Sequence, residues 1–592
     1  MLILYMNSVF DAFATLLLLF SARFVYNLIK NFITARAIGI PVLFTPVDQT
    51  SVLWIMLSSP YRLRLKSLLP TRIWNRVCLT IGGWEFHEKK KPFDQFVENK
   101  TFILLGLTQF ELWTADPQAV QDIILRIHDF LVPDSVGYAL GKFGPNVLTT
   151  NGEQWAKHRK VVASVVTERI SKTVFEESLS HANKVLGEVL LTFSEKAGST
   201  DTPLLFDMLT RITLEVLISA GLGDKVPWKL EDKQTPDHGY TMSYTESLGL
   251  VTDNVLGVGL LPTKILNGWP KFLPGYRLMT TVGRALLEVQ RRNQSLLYQE
   301  RERIEKWGVS ESTKANLMSN MVHTSDSPGN SLSEDEMIGN LFIFTAAGFK
   351  TTAATLVYAM ALLARFPLWQ EWLLEEVDEL TSVDGTEALE YTVIYPKCIR
   401  IMAFMYEIMR LYGPSTRLFK DVKSSQILQT SSGKIQVPAN TRVFIDTVMI
   451  HRLPCWRDLN HQSDPETFTL DPNTLDEEAF RPSRWINKPG SASIHLRPAK
   501  GTFLAWSGGQ RICPGQKMAQ VEFTAIILTL LKRHRIEATP LKGEGRREIE
   551  ERLDARLQDS DTTSGVLLLN GVFSPKESER LYLRVSQRRY HR

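Results

Sequence analysis

One cysteine stands between two glycine turns in the run FLAWSGGQRICPG. Cys513 lies between Gly509 and Gly515, and an amphipathic run from Gln516 to Leu531 follows directly. A cysteine that leads into a helix lies near the positive end of the helix dipole, which favours its thiolate form. The two glycines allow the backbone to turn tightly and to approach a wide, flat partner. The alternative is a buried structural cysteine in a glycine turn.

A carboxylate and a guanidinium are placed one helical turn apart in a second run, MAFMYEIMRLYGP. Glu407 and Arg410 share a helix face there, in otherwise apolar surroundings. An unpartnered charge in such a helix would be costly, so the pair requires a third polar group. The same spacing recurs twice in polar runs, where we expect solvated surface pairs: Glu288 with Arg291 and Glu300 with Arg303.

A third candidate is the helix predicted for NGEQWAKHRK, which places Trp155 and Arg159 on one face. Taken alone, this spacing is typical of an amphipathic surface helix. Lys157, His158 and Lys160 make the helix basic, which would suit an acidic partner protein.

The run LSEDEMIGNLFIFTAAGFKTTAATLVYAMALLARFP predicts one long buried helix. Ser333 and Glu336 form a capping box at its start, and Pro367 marks its end. In its middle, Gly348 weakens the helix and the Thr351 hydroxyl can bond back to a carbonyl, which opens a groove. A second membrane span is the alternative, although an amide and an ammonium group in the run make it costly.

The loop from Trp506 to Gly515 resembles the haem-binding loop of the cytochrome P450 family, F-x-x-G-x-R-x-C-x-G. Trp506 stands where that family usually has phenylalanine. The resemblance implies that Cys513 is the axial thiolate ligand of haem b. It also implies that Arg511 faces a haem propionate and that Gly509 shapes the turn.

Further family motifs occur in order along the chain. The run AFRPSRW resembles the family element F-x-P-x-R-W, which implies that Arg484 joins Glu407 and Arg410 in a network that locks the core behind the haem. Trp155 and Arg159 are similar to the pair on the family helix that contacts a haem propionate.

The run from Ala347 to Thr352 is similar to the oxygen-activating segment of the family, A-G-x-[D/E]-T-T. This implies that Gly348 and Thr351 take part in the activation of dioxygen. Lys350 departs from the pattern, because the family usually has a carboxylate there that helps to relay protons. We expect Lys350 to point away from the oxygen site and Thr351, with ordered water, to deliver the protons.

Length and composition are consistent with one large domain with attachments. The 592 residues contain no linker that separates halves of different composition, and the net charge of +4 is too small and dispersed to indicate a nucleic-acid partner. The four cysteines are far apart, which argues against a zinc site or disulfides. Helical periodicity dominates, with short strand-like runs such as KIQVPANTRVFIDT, and this predicts a mainly α fold with minor β. The resemblance implies the cytochrome P450 fold.

The N-terminal run predicts a membrane anchor over residues 1–32, because its apolar length is near that of a bilayer span. Positive charges follow the run, which predicts a cytosolic chain beyond it. A cleaved signal peptide is the alternative. We predict a membrane-proximal segment over residues 33–94, whose apolar stretch lies at the membrane surface or packs on the domain, and a haem domain over residues 95–592.

The pocket segments named by the resemblance are mostly apolar and predict a lipophilic substrate: residues 132–146, 344–351 and 414–418 and the pair Val572-Phe573. The last pair follows an Asn570-Gly571 turn, which predicts a hairpin over the pocket or an ordinary surface hairpin.

The resemblance implies a monooxygenase that inserts one oxygen atom from dioxygen into an organic molecule, in the manner of fungal enzymes that tailor terpenoids, polyketides or alkaloids. The chain lacks a full G-x-G-x-x-G unit, so electrons should come from NADPH through a separate cytochrome P450 reductase in the endoplasmic reticulum membrane. Two alternatives remain: a relative that rearranges a peroxide without a reductase, which would explain Lys350, and a haem sensor without catalysis.

Overall fold

The computed structural model describes most of the chain. The described residues are 2–51, 54–55, 58, 61–96, 100–194, 200–223, 236, 238–254, 261–307, 316–325, 332–382, 389–457, 464–465, 474–488, 490–491, 493–563, 565–569 and 581–588. The predicted hairpin at Asn570-Gly571, with Val572 and Phe573, lies outside them.

Contacts divide the chain into two compact units. The first contains Met1–Leu131, Arg417–Ile450 and Lys500–Thr502, and the second contains Val132–Thr416, His451–Ala499 and Phe503–Arg592. The predicted domain limits at residues 33 and 95 both lie inside the first unit.

Helices dominate the described residues, as the sequence periodicity predicts. In chain order they are α1 Leu2–Ala37, α2 Arg62–Leu68, α3 Thr71–Val77, α4 Trp84–Glu88, α5 Lys91–Asp94, α6 Pro117–Leu125, α7 Asp134–Leu140, α8 Gly152–Val165, α9 Glu168–Ser194, α10 Thr202–Leu217, α11 Tyr244–Asn254, α12 Thr263–Asn267, α13 Tyr276–Trp307, α14 Leu317–Ser325, α15 Glu334–Arg365, α16 Pro367–Ser382, α17 Tyr391–Ile394, α18 Ile399–Tyr412, α19 Thr447–Ile450, α20 Gln516–Arg533 and α21 Arg546–Gln558.

The strands are short. They are β1 Val42–Phe44, β2 Thr101–Leu105, β3 Phe110–Thr114, β4 Phe130–Leu131, β5 Thr200–Asp201, β6 Arg417–Val422, β7 Gln426–Thr430, β8 Gly433–Val437, β9 Thr441–Asp446, β10 His534–Ala538, β11 Asp561–Thr563, β12 Val566–Leu568 and β13 Tyr582–Gln587. The strand-like run KIQVPANTRVFIDT becomes β8 and β9, so this prediction is confirmed.

The first unit is built around a six-stranded sheet in the order β1-β2-β3-β9-β6-β4. The pairs β1/β2 and β3/β9 are parallel, with Val42 opposite Ile103 and Trp113 opposite Phe444. The rings of Trp113 and Phe444 stack with centroids 4.5 Å apart, which fixes the register of this central pair. Strand β1 comes from the apolar stretch after the N-terminal run, so this part of the stretch packs into the sheet.

Helix α1 covers the predicted anchor and is 36 residues long. Most side chains along its described part are exposed, among them Leu18, Leu19 and Ile33, whereas Ala35 is fully buried near its end. Asn31 donates a hydrogen bond to the carbonyl of Thr108, 2.8 Å away, and this contact joins the end of α1 to the first unit.

The second unit is mainly helical and is crossed by α15. Among the described residues, α15 is the helix with the length and apolar composition of a bilayer span, but 67% of its most apolar window is buried within the protein. Its capping box forms as predicted: the Ser333 hydroxyl accepts from the amide of Glu336, and the Glu336 carboxylate accepts from the amide of Ser333. It ends at Arg365, just before Pro367 begins α16.

Candidate active site

The loop that carries Cys513 is a closed turn that leads into α20. Gly509 begins a single 3-10 turn with φ 62°, in the left-handed region that glycine adopts without strain. The amide of Cys513 donates to the carbonyl of Trp506, 2.9 Å away. Gly515 is the N-cap of α20, so the sulfur lies beside the start of this helix.

Opposing influences act on the Cys513 thiol. Burial raises its pKa, while hydrogen bonds from the amides of Gly515 and Gln516 and the positive charge of Arg159 lower it. The groups that lower the pKa stabilise the thiolate, and the predicted helix-terminus effect is visible as these two amide donors. The residue itself remains accessible.

Arg511 is a half-buried cation without an acidic partner among the described residues. It donates to the carbonyl of Thr150 at 2.8 Å and to Oδ1 of Asn151 at 3.1 Å, and its guanidinium lies 4.6 Å from the Trp155 ring centroid. Its Nε is buried and has no hydrogen-bond partner within the described part of the chain. Burial lowers the pKa of Arg511 to about 10. A buried N–H group without an acceptor is explained if it donates to an anionic group of a bound ligand.

Helix α8 brings Trp155 and Arg159 to the same loop. Arg159 donates to the carbonyl of Ile512, 3.1 Å away and next to Cys513, and Trp155 lies against Arg511. The structure therefore assembles four of the predicted cofactor-binding side chains at one place: Cys513, Arg511, Trp155 and Arg159.

The predicted basic surface of α8 is largely wrong. Lys157 is paired with Glu336 of α15 at 2.8 Å. His158 is fully buried, its Nδ1 is 2.7 Å from the amide nitrogen of Asn340, and burial lowers its pKa. Lys160 alone of the three remains exposed. Two of the three basic residues thus hold α8 on α15.

The network of Glu407, Arg410 and Arg484 forms as predicted. Arg410 makes two 2.8 Å hydrogen bonds to the Glu407 carboxylate, and Arg484 donates to the same carboxylate at 2.9 Å. All three side chains are buried. Burial alone would raise the pKa of Glu407, but Arg410 and Arg484 outweigh it and hold this pKa at about 2.

Three further groups complete this network, and sequence reasoning missed all of them. The indole of Trp485 donates to Glu407 at 2.9 Å, as does the backbone amide of Arg481. Asp476 lies 3.2 Å from Arg484 and balances its charge. Trp485 is part of the run AFRPSRW, so the sequence pattern could have indicated it. Asp476 lies before that run, and no pattern in the sequence indicated it.

The Glu288/Arg291 and Glu300/Arg303 pairs, which we expected to be solvated, are only partly exposed. Glu288 is buried and accepts hydrogen bonds from the amides of Thr241 and Met242. Glu300 is buried as well and pairs with Arg303. Both carboxylates hold α13 to other segments, so the expectation of surface pairs is wrong for them.

The middle of α15 has an unusual hydrogen-bond pattern. Three successive carbonyls accept side-chain hydroxyls: Ala347 from Thr351 at 3.0 Å, Gly348 from Thr352 at 3.3 Å and Phe349 from Thr213 of α10 at 3.1 Å. Among the positions from 341 to 351 that are not fully buried, 344, 347, 348 and 351 share one face by their spacing, whereas 346 and 350 lie on another. Gly348 and Thr351, where the sequence predicts a groove, lie on the first of these faces.

Lys350 points away from this face. Its ammonium forms an ion pair with Asp253 of α11, and its side chain is only 12% exposed whereas that of Asp253 is 46% exposed. Burial lowers the pKa of Lys350 and the Asp253 carboxylate raises it. Asp253 lies almost a hundred residues before Lys350, and no local pattern marked it as the partner.

Comparison with known proteins agrees with this arrangement. The family model for cytochrome P450 matches residues 112–557, an interval that contains the cysteine loop, the Glu407 network and α15. The chain belongs to the cytochrome P450 family.

This cytochrome P450 has a full-length fungal relative. It is 49% identical, over 98% of its own length and 99% of the relative, to the phomenoic acid biosynthesis cluster cytochrome P450 monooxygenase of Leptosphaeria maculans. It is 26% identical to a cytochrome P450 monooxygenase of Arthrobotrys oligospora over 90% of this chain and 92% of that one. A crystal structure of a cytochrome P450 shares its fold with a TM-score of 0.60, at 16% identity over 84% of this chain and 93% of that chain.

Proposed function

We propose that this cytochrome P450 is a haem-thiolate monooxygenase that inserts one oxygen atom from dioxygen into a lipophilic secondary metabolite. The loop at Cys513 carries the proposal, because it presents one sulfur beside helix amides and the cation of Arg159. The family binds haem through such a cysteine.

The residues at the loop fit a haem. Cys513 would supply an anionic ligand to the haem iron, and the orphaned Nε of Arg511 would bind a propionate. Arg159 and Trp155 would lie with Arg511 beside the haem propionates. Trp506 packs beside the loop in place of the usual phenylalanine. When bound, haem supplies the reduction and cleavage of dioxygen, for which electrons must arrive from outside the chain.

The role of α15 in the reaction is to hold and deliver protons. The Thr351 hydroxyl is already on the accessible face and donates to the Ala347 carbonyl. It can exchange that hydrogen bond for one to a water in the groove beside Gly348, and the water then passes a proton toward the reacting oxygen. Lys350 takes no part, because its ammonium is held by Asp253.

Thr351 and Lys350 are therefore expected to respond differently to substitution. We expect Thr351→Ala to keep consuming NADPH but to release peroxide, with product per NADPH lower on the order of tenfold or more, because the proton donor is lost. Lys350→Ala should remain largely coupled. The measurement is the ratio of product and peroxide to NADPH consumed. Equal uncoupling in both variants would place the lysine in the proton relay and contradict the observed orientation.

The relative from Leptosphaeria maculans supports the proposed pathway class. Its name places it in the phomenoic acid biosynthesis cluster, and the similarity covers nearly both whole chains. We propose that the present chain likewise tailors a secondary metabolite of terpenoid, polyketide or alkaloid type, with an NADPH-dependent cytochrome P450 reductase as electron donor. The test is expression with such a reductase in a host lacking the pathway, fed with lipophilic precursors. Oxidised products should appear only when both proteins are present.

We further propose that α1 anchors the protein in the endoplasmic reticulum membrane, with the haem domain in the cytosol. Removal of residues 2–30 should shift the protein toward the soluble fraction and leave its haem content unchanged, because this cut keeps the Asn31 contact and the buried Ala35. Fractionation after a salt wash measures the shift. A deletion extended to Gly39 is the comparison, since it also removes those contacts. A shortened protein that stays wholly in membranes would show that the anchor lies elsewhere.

A further inference from the structure

Helix α10 packs against the oxygen-activating segment of α15 with two residues one helical turn apart, Thr213 and Leu217. The Thr213 hydroxyl donates to the carbonyl of Phe349, 3.1 Å away, and both residues are buried. Leu217 occupies the space beside Gly348, because a Cβ atom on that glycine would lie 3.1 Å from Leu217 Cδ2. The mechanism above uses neither of these residues of α10.

The bond from Thr213 differs in origin from the other two hydroxyl bonds in the middle of α15. Thr351 and Thr352 belong to α15 and bond to carbonyls one turn back in their own helix. Thr213 reaches Phe349 from another helix. Its single hydrogen is shared between this carbonyl and that of Thr210 in α10, 3.0 Å away. The bond therefore ties α15 to α10 at one backbone oxygen.

The position of Phe349 on α15 determines what this bond does to the accessible face, which is the face of positions 344, 347, 348 and 351. With about 100° between successive residues, Phe349 lies about 160° around the helix from Ala347 and from Thr351. A carbonyl that is drawn outward lengthens the backbone hydrogen bond of its own helix, and the helix bends so that this side becomes convex. The opposite side, which carries Ala347 and Thr351, then becomes concave.

We propose that Thr213 is a positioning residue for the oxygen-activating segment. Its hydroxyl draws the Phe349 carbonyl toward α10 and so keeps the accessible face open at Gly348 and Thr351. The structural effect requires only the contact between α10 and α15. Its consequence for the reaction rests on the proposed monooxygenase function.

Helix α10 is also held from another side by α9, which limits its freedom to move away from α15. Oε2 of Glu215 lies 3.0 Å from Nδ1 of His181, and both side chains are buried. Burial lowers the pKa of His181, but the carboxylates of Glu177 and Glu215 outweigh it and raise this pKa to about 9, so the imidazole is a cation at neutral pH. Glu215 follows Thr213 by two positions and lies on a different face of α10. The ion pair thus supports the placement of Thr213 against Phe349.

The same helix offers a matched control for substitution. The hydroxyl oxygen of Thr210, one turn before Thr213, is buried and has no hydrogen-bond partner among the described residues. Thr213→Val removes the hydroxyl that binds Phe349, whereas Thr210→Val removes one that binds nothing in that part of the chain. Thr213→Ser keeps the hydroxyl. We expect the haem content of the parent protein in all three variants. If Thr213→Val takes up no haem, Thr213→Ala and Thr210→Ala form the equivalent pair with a smaller side chain.

Infrared absorption of carbon monoxide bound to the ferrous haem tests the positioning without turnover. The C–O stretching frequency depends on the polarity and the space around the bound gas, and by the family resemblance that gas lies beside Gly348 and Thr351. Thr213→Val should shift this band, whereas Thr213→Ser and Thr210→Val should keep it at the position of the parent. A parent band in Thr213→Val, or the same shift in Thr210→Val, overturns the inference whatever the activity.

Coupling separates this inference from the proposed function. With a substrate that is turned over, Thr213→Val should lower product per NADPH about fivefold, the factor that corresponds to one ordinary hydrogen bond, and Thr213→Ser should restore it. A shifted band in a protein that oxidises no precursor supports the placement by Thr213 and counts against the monooxygenase. A shifted band together with parent coupling in Thr213→Val would overturn the role of Thr213 in the reaction.

Discussion

The Cys513→Ser variant is expected to lose entirely the carbon monoxide spectrum that distinguishes thiolate-ligated haem. A serine hydroxyl is far less acidic than a thiol and stays neutral, so it is a poor axial ligand. The amides of Gly515 and Gln516 and the charge of Arg159, which stabilise a thiolate at this position, cannot ionise a hydroxyl. Monooxygenase activity should be lost with the spectrum.

A matched control is available in the same chain. Cys455 is also exposed and lies in a separate 3-10 turn, Pro454–Trp456. Cys455→Ser should keep the spectrum of the parent protein. A parent-like spectrum in Cys513→Ser would show that the ligand is another residue.

Loss of either Glu407 or Arg410 is expected to prevent haem incorporation. Glu407→Ala leaves two buried guanidinium groups without their common carboxylate, and Arg410→Ala leaves that carboxylate without its two 2.8 Å hydrogen bonds. Breaking a buried ion pair in this way costs about 3–5 kcal/mol, which is a large part of the stability of a typical domain. Haem content per protein, measured from the pyridine haemochrome, should fall close to zero.

The control for this prediction is an exposed pair at helical spacing. Arg547 and Glu551 on α21 are 2.9 Å apart, with side chains 87% and 63% exposed. Glu551→Ala should leave haem content unchanged, since exposed pairs contribute little. Normal haem content in both Glu407→Ala and Arg410→Ala would mean that the network is dispensable for the haem domain.

The same network predicts an acid limit for stability. Because the pKa of Glu407 is held at about 2, below the usual value of 4.5 that it has in the unfolded chain, its contribution to folding stability is fully present above that usual value. This contribution to stability is lost as the pH falls through the pKa of Glu407 in the folded protein. Thermal unfolding followed from neutral to acidic pH should show this loss between those two values.

Local patterns predicted the parts of the site that depend on neighbouring residues. The capping box at Ser333, the bond from the Thr351 hydroxyl back to a carbonyl and the turn at Gly509 each follow from a few adjacent residues, and each forms as expected. The Glu407 network was predictable because an apolar helix makes an isolated charge costly, so partners had to exist.

Contacts between distant segments were not predictable from spacing alone. His158 looked like one of three surface cations, yet it is buried against Asn340, which follows 182 positions later. Glu300 looked solvated until α14 placed Ser319 against its carboxylate. Asp253 likewise matters because packing brings it to Lys350.

The origin of the inserted oxygen tests the central proposal most directly. The host that expresses the chain with a cytochrome P450 reductase is supplied with isotopically labelled dioxygen and candidate precursors, and its products are analysed by mass. We predict a product that carries one labelled oxygen atom and that is absent without the reductase or in Cys513→Ser. A product whose added oxygen comes from water instead of dioxygen would contradict the monooxygenase. A product of unchanged mass that forms without the reductase would contradict it and favour an isomerase that rearranges a peroxide.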